Sequence, residues 1–178
     1  MMKTLLSIWC KATGWLVSAT SHTISLALPL LAGTVAFEVF SRYVLDRPTL
    51  WAYDVSLFLF GYIGALCGAH AQLKKSHINV DIVYLAVSQR WKNAFDLLAN
   101  TLGGFFLLVI ATKSWEKAVE ALEFGYTRQS EWAPSISHFW IMVTAAAVLF
   151  LLQLSADMIK DAWQLVTGEP LLSEEEQQ

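Results

Sequence analysis

Long apolar runs, broken at short intervals by charges, prolines and glycines, set the organisation of this chain. Four runs qualify as membrane spans: Trp15–Phe37, Trp51–Leu73, Ala94–Thr112 and Ser135–Ile159. A hydrocarbon core about 30 Å thick takes about 20 apolar residues in a helix. The connections between the runs are too short for a further domain. The pattern therefore predicts an all-α integral membrane protein, one four-span unit over residues 1–178 with short interfacial amphipathic helices. Trp15, Trp51, Tyr53, Trp91, Trp115 and Trp132 fall near span ends, where an amphipathic ring is best placed.

Composition agrees. Hydrophobic residues make up 56% and charged residues 15%, with a mean hydropathy of +0.47. Soluble domains carry about 25% charged residues, so this chain cannot solvate a whole surface. A net charge of −3 supplies no basic field for nucleic acid. Two cysteines, Cys10 and Cys67, are too few for a disulfide framework. The first span follows Lys3 like a secretory signal, but its apolar core is too long and lacks a small-residue cleavage site, so it is expected to remain.

Four spans place both termini on one side. Lys3, Lys11, Lys74, Lys75, Arg90, Lys92 and Lys160 fall on that side, against Arg42, Arg47, Lys113, Lys117 and Arg128 opposite. The positive-inside rule then favours cytoplasmic termini by a margin of two. The acidic end at 173–178 reads as a frayed tail.

Within the second span Gly61, Gly64, Ala65 and Gly68 recur at helical spacing, and Gly64 to Gly68 is a G-x-x-x-G. Lipid tails give no hydrophobic drive between helices, so small residues that let backbones approach are what favours association. This face serves either packing within the unit or docking to another membrane protein. In the first span Ser18, Ser21, His22 and Ser25 share a face ahead of Pro29, where a kink is expected because proline cannot donate to the Ser25 carbonyl. His22 reads as a neutral histidine hydrogen-bonded to a neighbouring helix, with a proton relay or haem ligand as rivals.

Charges gather at the span ends. Asp54, one turn into the second span, benefits from the helix N-terminus and is expected to pair with Arg42 or Arg47 across the turn containing Pro48. After that span, Asn79 or Asp81 caps a surface helix with Val80, Val83, Tyr84 and Val87 on one face. His77 and Asp81 stand four apart, but two ligands fall short of a zinc site, and no metal or cofactor is expected. The third span continues as a charged helix through Lys113, Glu116, Lys117 and Glu120 to Gly125, and Pro134 opens the fourth. The phosphate-loop, dinucleotide, zinc-protease and serine-hydrolase signatures are missing, and no enzymatic activity is expected.

Several short marks occur in order: Phe40-Ser41-Arg42-Tyr43, Trp51-Ala52-Tyr53-Asp54, Gly64-Ala65, His77-Ile78-Asn79-Val80-Asp81 and Leu151-Leu152-Gln153. On four spans, from about Leu16 to Gln164, they resemble the small membrane (Q, or DctQ-like) subunit of tripartite ATP-independent periplasmic (TRAP) transporters. The family more often has glutamate where this chain has Asp54. The resemblance implies a bacterial inner-membrane, sodium-coupled secondary transporter for organic acids. A periplasmic binding protein would deliver the substrate, a large elevator-type M subunit would carry it, and this chain would be the non-catalytic scaffold. It also implies that the M partner is a separate polypeptide. On this reading Gly61, Gly64, Ala65 and Gly68 pack helices, while Arg42, Trp51, Asp54, His77 and Asp81 fix span ends. The rivals are a redox membrane anchor holding haem between histidines among His22, His70 and His138, and a self-sufficient homo-oligomeric transporter.

Overall fold

The computed structural model describes residues 2–74 and 88–172, in five helices: α1 (Met2–Ser25), α2 (Ala27–Tyr43), α3 (Ala52–Leu73), α4 (Gln89–Phe124) and α5 (Ser137–Thr167). The described residues are 82% helical, with no strand among them and four helices long and apolar enough to cross a membrane. α1 and α2 together form the first of these, Met2–Tyr43. His77, Asp81 and the surface helix expected over 80–87 lie outside the described residues, as does the acidic end.

The first span breaks at Leu26, one turn before Pro29. There the Leu26 N–H reaches the Thr23 carbonyl (3.3 Å) in a tighter i→i−3 bond. The proline ring crowds the carbonyl four residues back and supplies no N–H, so the disturbance falls on the turn before it. Helix ends also differ from the sequence reading. Residues 2–14, read as a tail, are helical, because Leu6 and Cys10 have something to pack against. Cys10 is buried in a cluster with Ala156, Leu171 and Leu172, flanked by Leu6, Ile159 and Trp163. The chain returns to that cluster because Gly168 adopts a left-handed φ of 76° and ends α5. Gly125 ends α4 in the same way, with φ 63°, as its position predicted.

α5 is the central helix. It packs against α1, α3 and α4, whereas α2 rests on α3 and touches α1 lightly, and α4 rests almost wholly on α5. α1, α3 and α5 thus meet one another around Val17, Ala69 and Leu149, and α4 stands outside them on α5. α4 and α5 run antiparallel, with a register shown by Thr144 Oγ1 donating to Ser114 Oγ (2.9 Å) and by Gly103 facing Leu154. The α4 side of this seam is small and buried: Ala111, Ser114, Ala118 and Ala121, spaced three, four and three. Leu149 and Ala156 of α5 pack toward α1, and its α4 side carries Thr144, Ala147 and Leu154, spaced three and seven. The α4 spacing is the coiled-coil rhythm, and small residues draw the two backbones together as packing without a hydrophobic drive requires.

At 1.5 Å per residue α4 is about 54 Å long, well beyond a core of about 30 Å. Its excess carries the ion pairs Lys113–Glu116 (2.7 Å) and Lys117–Glu120 (2.6 Å), so the charged continuation forms a solvated helical end. Ala118 is fully buried on its inner side. Ala118→Leu is expected to force α4 from α5 and lower the unfolding free energy in detergent by about 1–3 kcal/mol, the usual cost of overpacking. Leu122→Ala, at an exposed position of the same helix, should change it by less than about 0.5 kcal/mol.

Candidate functional site

Two buried polar clamps hold the helices, one toward each end. The first centres on Asp54, which is fully buried in the first turn of α3. Its partner is neither Arg42 nor Arg47, as the sequence reading expected, but Arg128 of the α4–α5 connection. Arg128 Nε lies 2.5 Å from Asp54 Oδ1. The two atoms are close without the alignment of an N–H···O bond, so the contact is ionic. Ser130 Oγ donates to Asp54 Oδ2 (2.5 Å), and the Arg128 guanidinium carbon stands 5.5 Å from the Tyr53 ring centre, within cation–π range.

The connection is shaped to deliver Arg128. The Arg128 N–H donates to the Pro134 carbonyl (2.8 Å), and the Ile136 N–H donates to Tyr126 (3.2 Å), closing a bridge between Thr127 and Ser135. Ala133 turns the chain at a left-handed φ of 46°. Beside the ion pair is a cleft of about 220 Å³ lined by Leu57, Phe58, Arg128, Ile136, Phe139 and Trp140.

Arg42 is committed locally. Its Nη2 lies 2.6 Å from Glu38 Oε1 on the same helix. Glu38 Oε2 accepts from the Thr49 N–H (3.1 Å) and from the Thr49 hydroxyl, which fastens the end of α2 to the chain entering α3. A local partner one turn away outcompetes one across a turn, because less chain must be ordered to meet it. Ser41 closes the same turn, donating Oγ to the Arg47 carbonyl (2.5 Å). Trp51 stacks on Phe37 with ring centres 6.0 Å apart.

The second clamp was not foreseen. Asp157 of α5 binds a side chain of α3, which in turn reaches α4, and two of its own helix. Gln72 of α3 donates Nε2 to Asp157 Oδ2 (3.2 Å) and lies 3.4 Å from Asn100 Oδ1 of α4. Gln153 Nε2 (3.0 Å) and Lys160 Nζ (3.1 Å) both donate to Asp157 Oδ1. A carboxylate only accepts, so the Gln153 amide must turn its nitrogen inward, leaving Oε1 buried without a partner. Gln153 carried one of the family marks in the sequence. The signal that would have found the rest was the i,i+4 pair Gln153 and Asp157 on a span, together with Gln72 and Asn100 in runs otherwise almost devoid of polar side chains.

The small-residue face of α3 divides. A side chain added at Gly61 would put its Cβ 2.7 Å from the Phe139 ring, and one at Gly68 would stand 3.4 Å from Phe150, so both glycines face α5. Gly64 is exposed with nothing within 4 Å, and Ala65 is half-buried. The G-x-x-x-G thus has one glycine inside the unit and one outside.

His22 and His138 have separate partners. His22 Nδ1 bonds to the Ser18 carbonyl of its own helix (3.1 Å), not to a neighbouring helix. His138 Nδ1 bonds to the Tyr62 hydroxyl, and its ring meets Phe58 edge-on at 4.7 Å. His70 lies eight residues past Tyr62, about 12 Å along α3. Among the described residues no three His, Cys, Asp or Glu side chains stand together as metal ligands.

Residues 31–164 match the family described as tripartite ATP-independent periplasmic transporters, DctQ component. The chain belongs to that family and is a multi-pass membrane protein, the small component of a TRAP transporter. Comparison with curated proteins gave no match.

The clamp and the glycines yield two expectations. Arg128→Leu leaves Asp54 buried and unpaired and should cost about 3 kcal/mol, the low end for a buried pair because a third of the Arg128 side chain meets solvent. Adding Asp54→Asn should restore much of that loss, read by thermal unfolding in detergent. Gly61→Ala should lower the melting temperature of the purified chain, since Phe58, Tyr62 and Trp140 hem in the Phe139 ring. Gly64→Ala should leave it unchanged.

Proposed function

We propose that this chain is the non-catalytic scaffold of a sodium-coupled TRAP transporter for organic acids. It holds the stationary part of the large elevator-type M subunit in the bacterial inner membrane, with both termini cytoplasmic. A periplasmic substrate-binding protein supplies the substrate. Family membership over residues 31–164 is the observation that carries this reading. The physical features fit a scaffold. Buried ion pairs and hydrogen bonds tie α3 to the α4–α5 connection at one end and to α4 and α5 at the other. The polar groups so placed bind other parts of the same chain, which is how a rigid body is built and not how a substrate path is lined. The outer helices leave broad apolar faces, among them Phe37, Val39 and Phe40 on α2 and Phe105 and Phe106 on α4, suited to lipid.

The test is a gentle-detergent pull-down of the tagged chain from its native membranes, followed by uptake in proteoliposomes. The expected result is stoichiometric recovery of a large multi-pass subunit. Uptake by that subunit and its binding protein should fall at least tenfold when this chain is omitted. Recovery of the chain alone, or uptake unaffected by its omission, would overturn the scaffold reading.

A further inference from the structure

His22 is the one imidazole set midway along the first span. Val17 is buried against Ala69, and Gly14 faces Leu73, so α1 and α3 run antiparallel. Five residues beyond Val17, about 7.5 Å, that register carries His22 level with the stretch around Gly64, halfway along α3. The His22 side chain is exposed at this depth. Ser18, Ser21 and Ser25 share its flank of α1, to one side of the Thr13 and Val17 face that packs inward.

The bond to Ser18 fixes the chemistry. A peptide carbonyl can only accept, so the 3.1 Å contact makes Nδ1 the N–H. In the neutral ring Nε2 is then a bare acceptor, and no other hydrogen bond of His22 occurs among the described residues. Hydrocarbon offers it no donor, which makes an uncovered imidazole here unfavourable. A second copy of this chain is a poor cover. A two-fold axis along the membrane normal would set each His22 at the height of its copy, acceptor facing acceptor.

We infer that the Ser18–Ser21–His22–Ser25 flank of α1 is the docking face for the large membrane subunit, and that a helix of that subunit donates a hydrogen bond to His22 Nε2. The assignment rests on the scaffold reading and adds to it the face and the chemistry of the contact. It separates the α1 flank from Gly61 and Gly68, which are occupied inside the chain.

Photo-crosslinking in native membranes tests the face. A benzophenone amino acid is placed at Ser25 on the flank or at Phe105, an exposed position of α4, and adducts are identified by peptide sequencing. The expected result is an adduct with the large subunit at least fivefold stronger from position 25. An adduct as strong from position 105, or one only with lipid or a second copy from position 25, would overturn the assignment. The bond itself is read by pull-down. His22→Leu should reduce recovered large subunit at least threefold without shifting the melting temperature of the purified chain, and His22→Gln, which keeps an acceptor oxygen, should restore most of it. Unchanged recovery with leucine would remove the proposed bond. Wild-type copurification is scored separately: its failure removes the scaffold reading, whereas its success with the wrong crosslinks removes only the face.

Discussion

A helix in hydrocarbon gains nothing by leaving lipid for another helix of the same apolarity, so whatever holds this chain together must be something lipid cannot supply. Two devices meet that requirement. One is close approach, through the seam where Ala111, Ser114, Ala118 and Ala121 of α4 lie buried on α5. The other is polar pairing, through Asp54 with Arg128 and Asp157 with Gln72, Gln153 and Lys160. A charged group buried among helices has no comparable alternative in lipid, so each clamp restricts which helix can stand beside which. α5 takes part in the seam and in one clamp, and its first residues follow directly from the connection that forms the other. Its central position follows from these constraints.

The two clamps differ in kind. Asp54 fixes a loop: Arg128 and Ser130 reach it only because the Thr127–Ser135 bridge and the turn at Ala133 hold the connection against α3. Asp157 fixes helices: the residues around it come from α3, α4 and α5. Between them, apart from the Tyr62–His138 pair, the packing is apolar or small, with Val17, Ala69 and Leu149 in one cluster. A unit fastened at both ends resists shear between its helices more than one fastened at the middle. That is the mechanical property the proposed scaffold role calls for.

How much of this the sequence revealed depended on the range of the interaction. The spans were legible because length and apolarity are properties of single segments, and α3 begins and ends within a residue of its reading. The α4 terminus at Gly125 was legible because a glycine cap is local. Pairings across the fold were not. Arg42 and Arg47 stood closer to Asp54 in sequence than Arg128 does, and nothing local shows that Glu38 claims Arg42 while a distant connection folds back to α3. The Gly61, Gly64 and Gly68 set read as one face, yet only the side chain facing each position shows that Gly61 meets Phe139 while Gly64 meets nothing. The seam on α4 was readable in its three-four spacing, but alanine and serine attract less notice than glycine.

The polar groups inside the spans point in two directions, and that contrast bears on how a small membrane subunit serves a larger one. Asp157 and Gln72 look inward and join two helices, with Gln153 bracing Asp157 from its own helix, so substituting them would weaken the chain before it weakened any complex. His22 looks outward, with one nitrogen tied to its own backbone and the other left as an acceptor. Evolution of a soluble surface can leave such a group to water, but a membrane surface has no such default at this depth. Within lipid, a polar side chain that the fold does not satisfy marks a surface that is incomplete until something else covers it. By that argument the α1 flank, and not the apolar α4 face, is the side on which this subunit is unfinished.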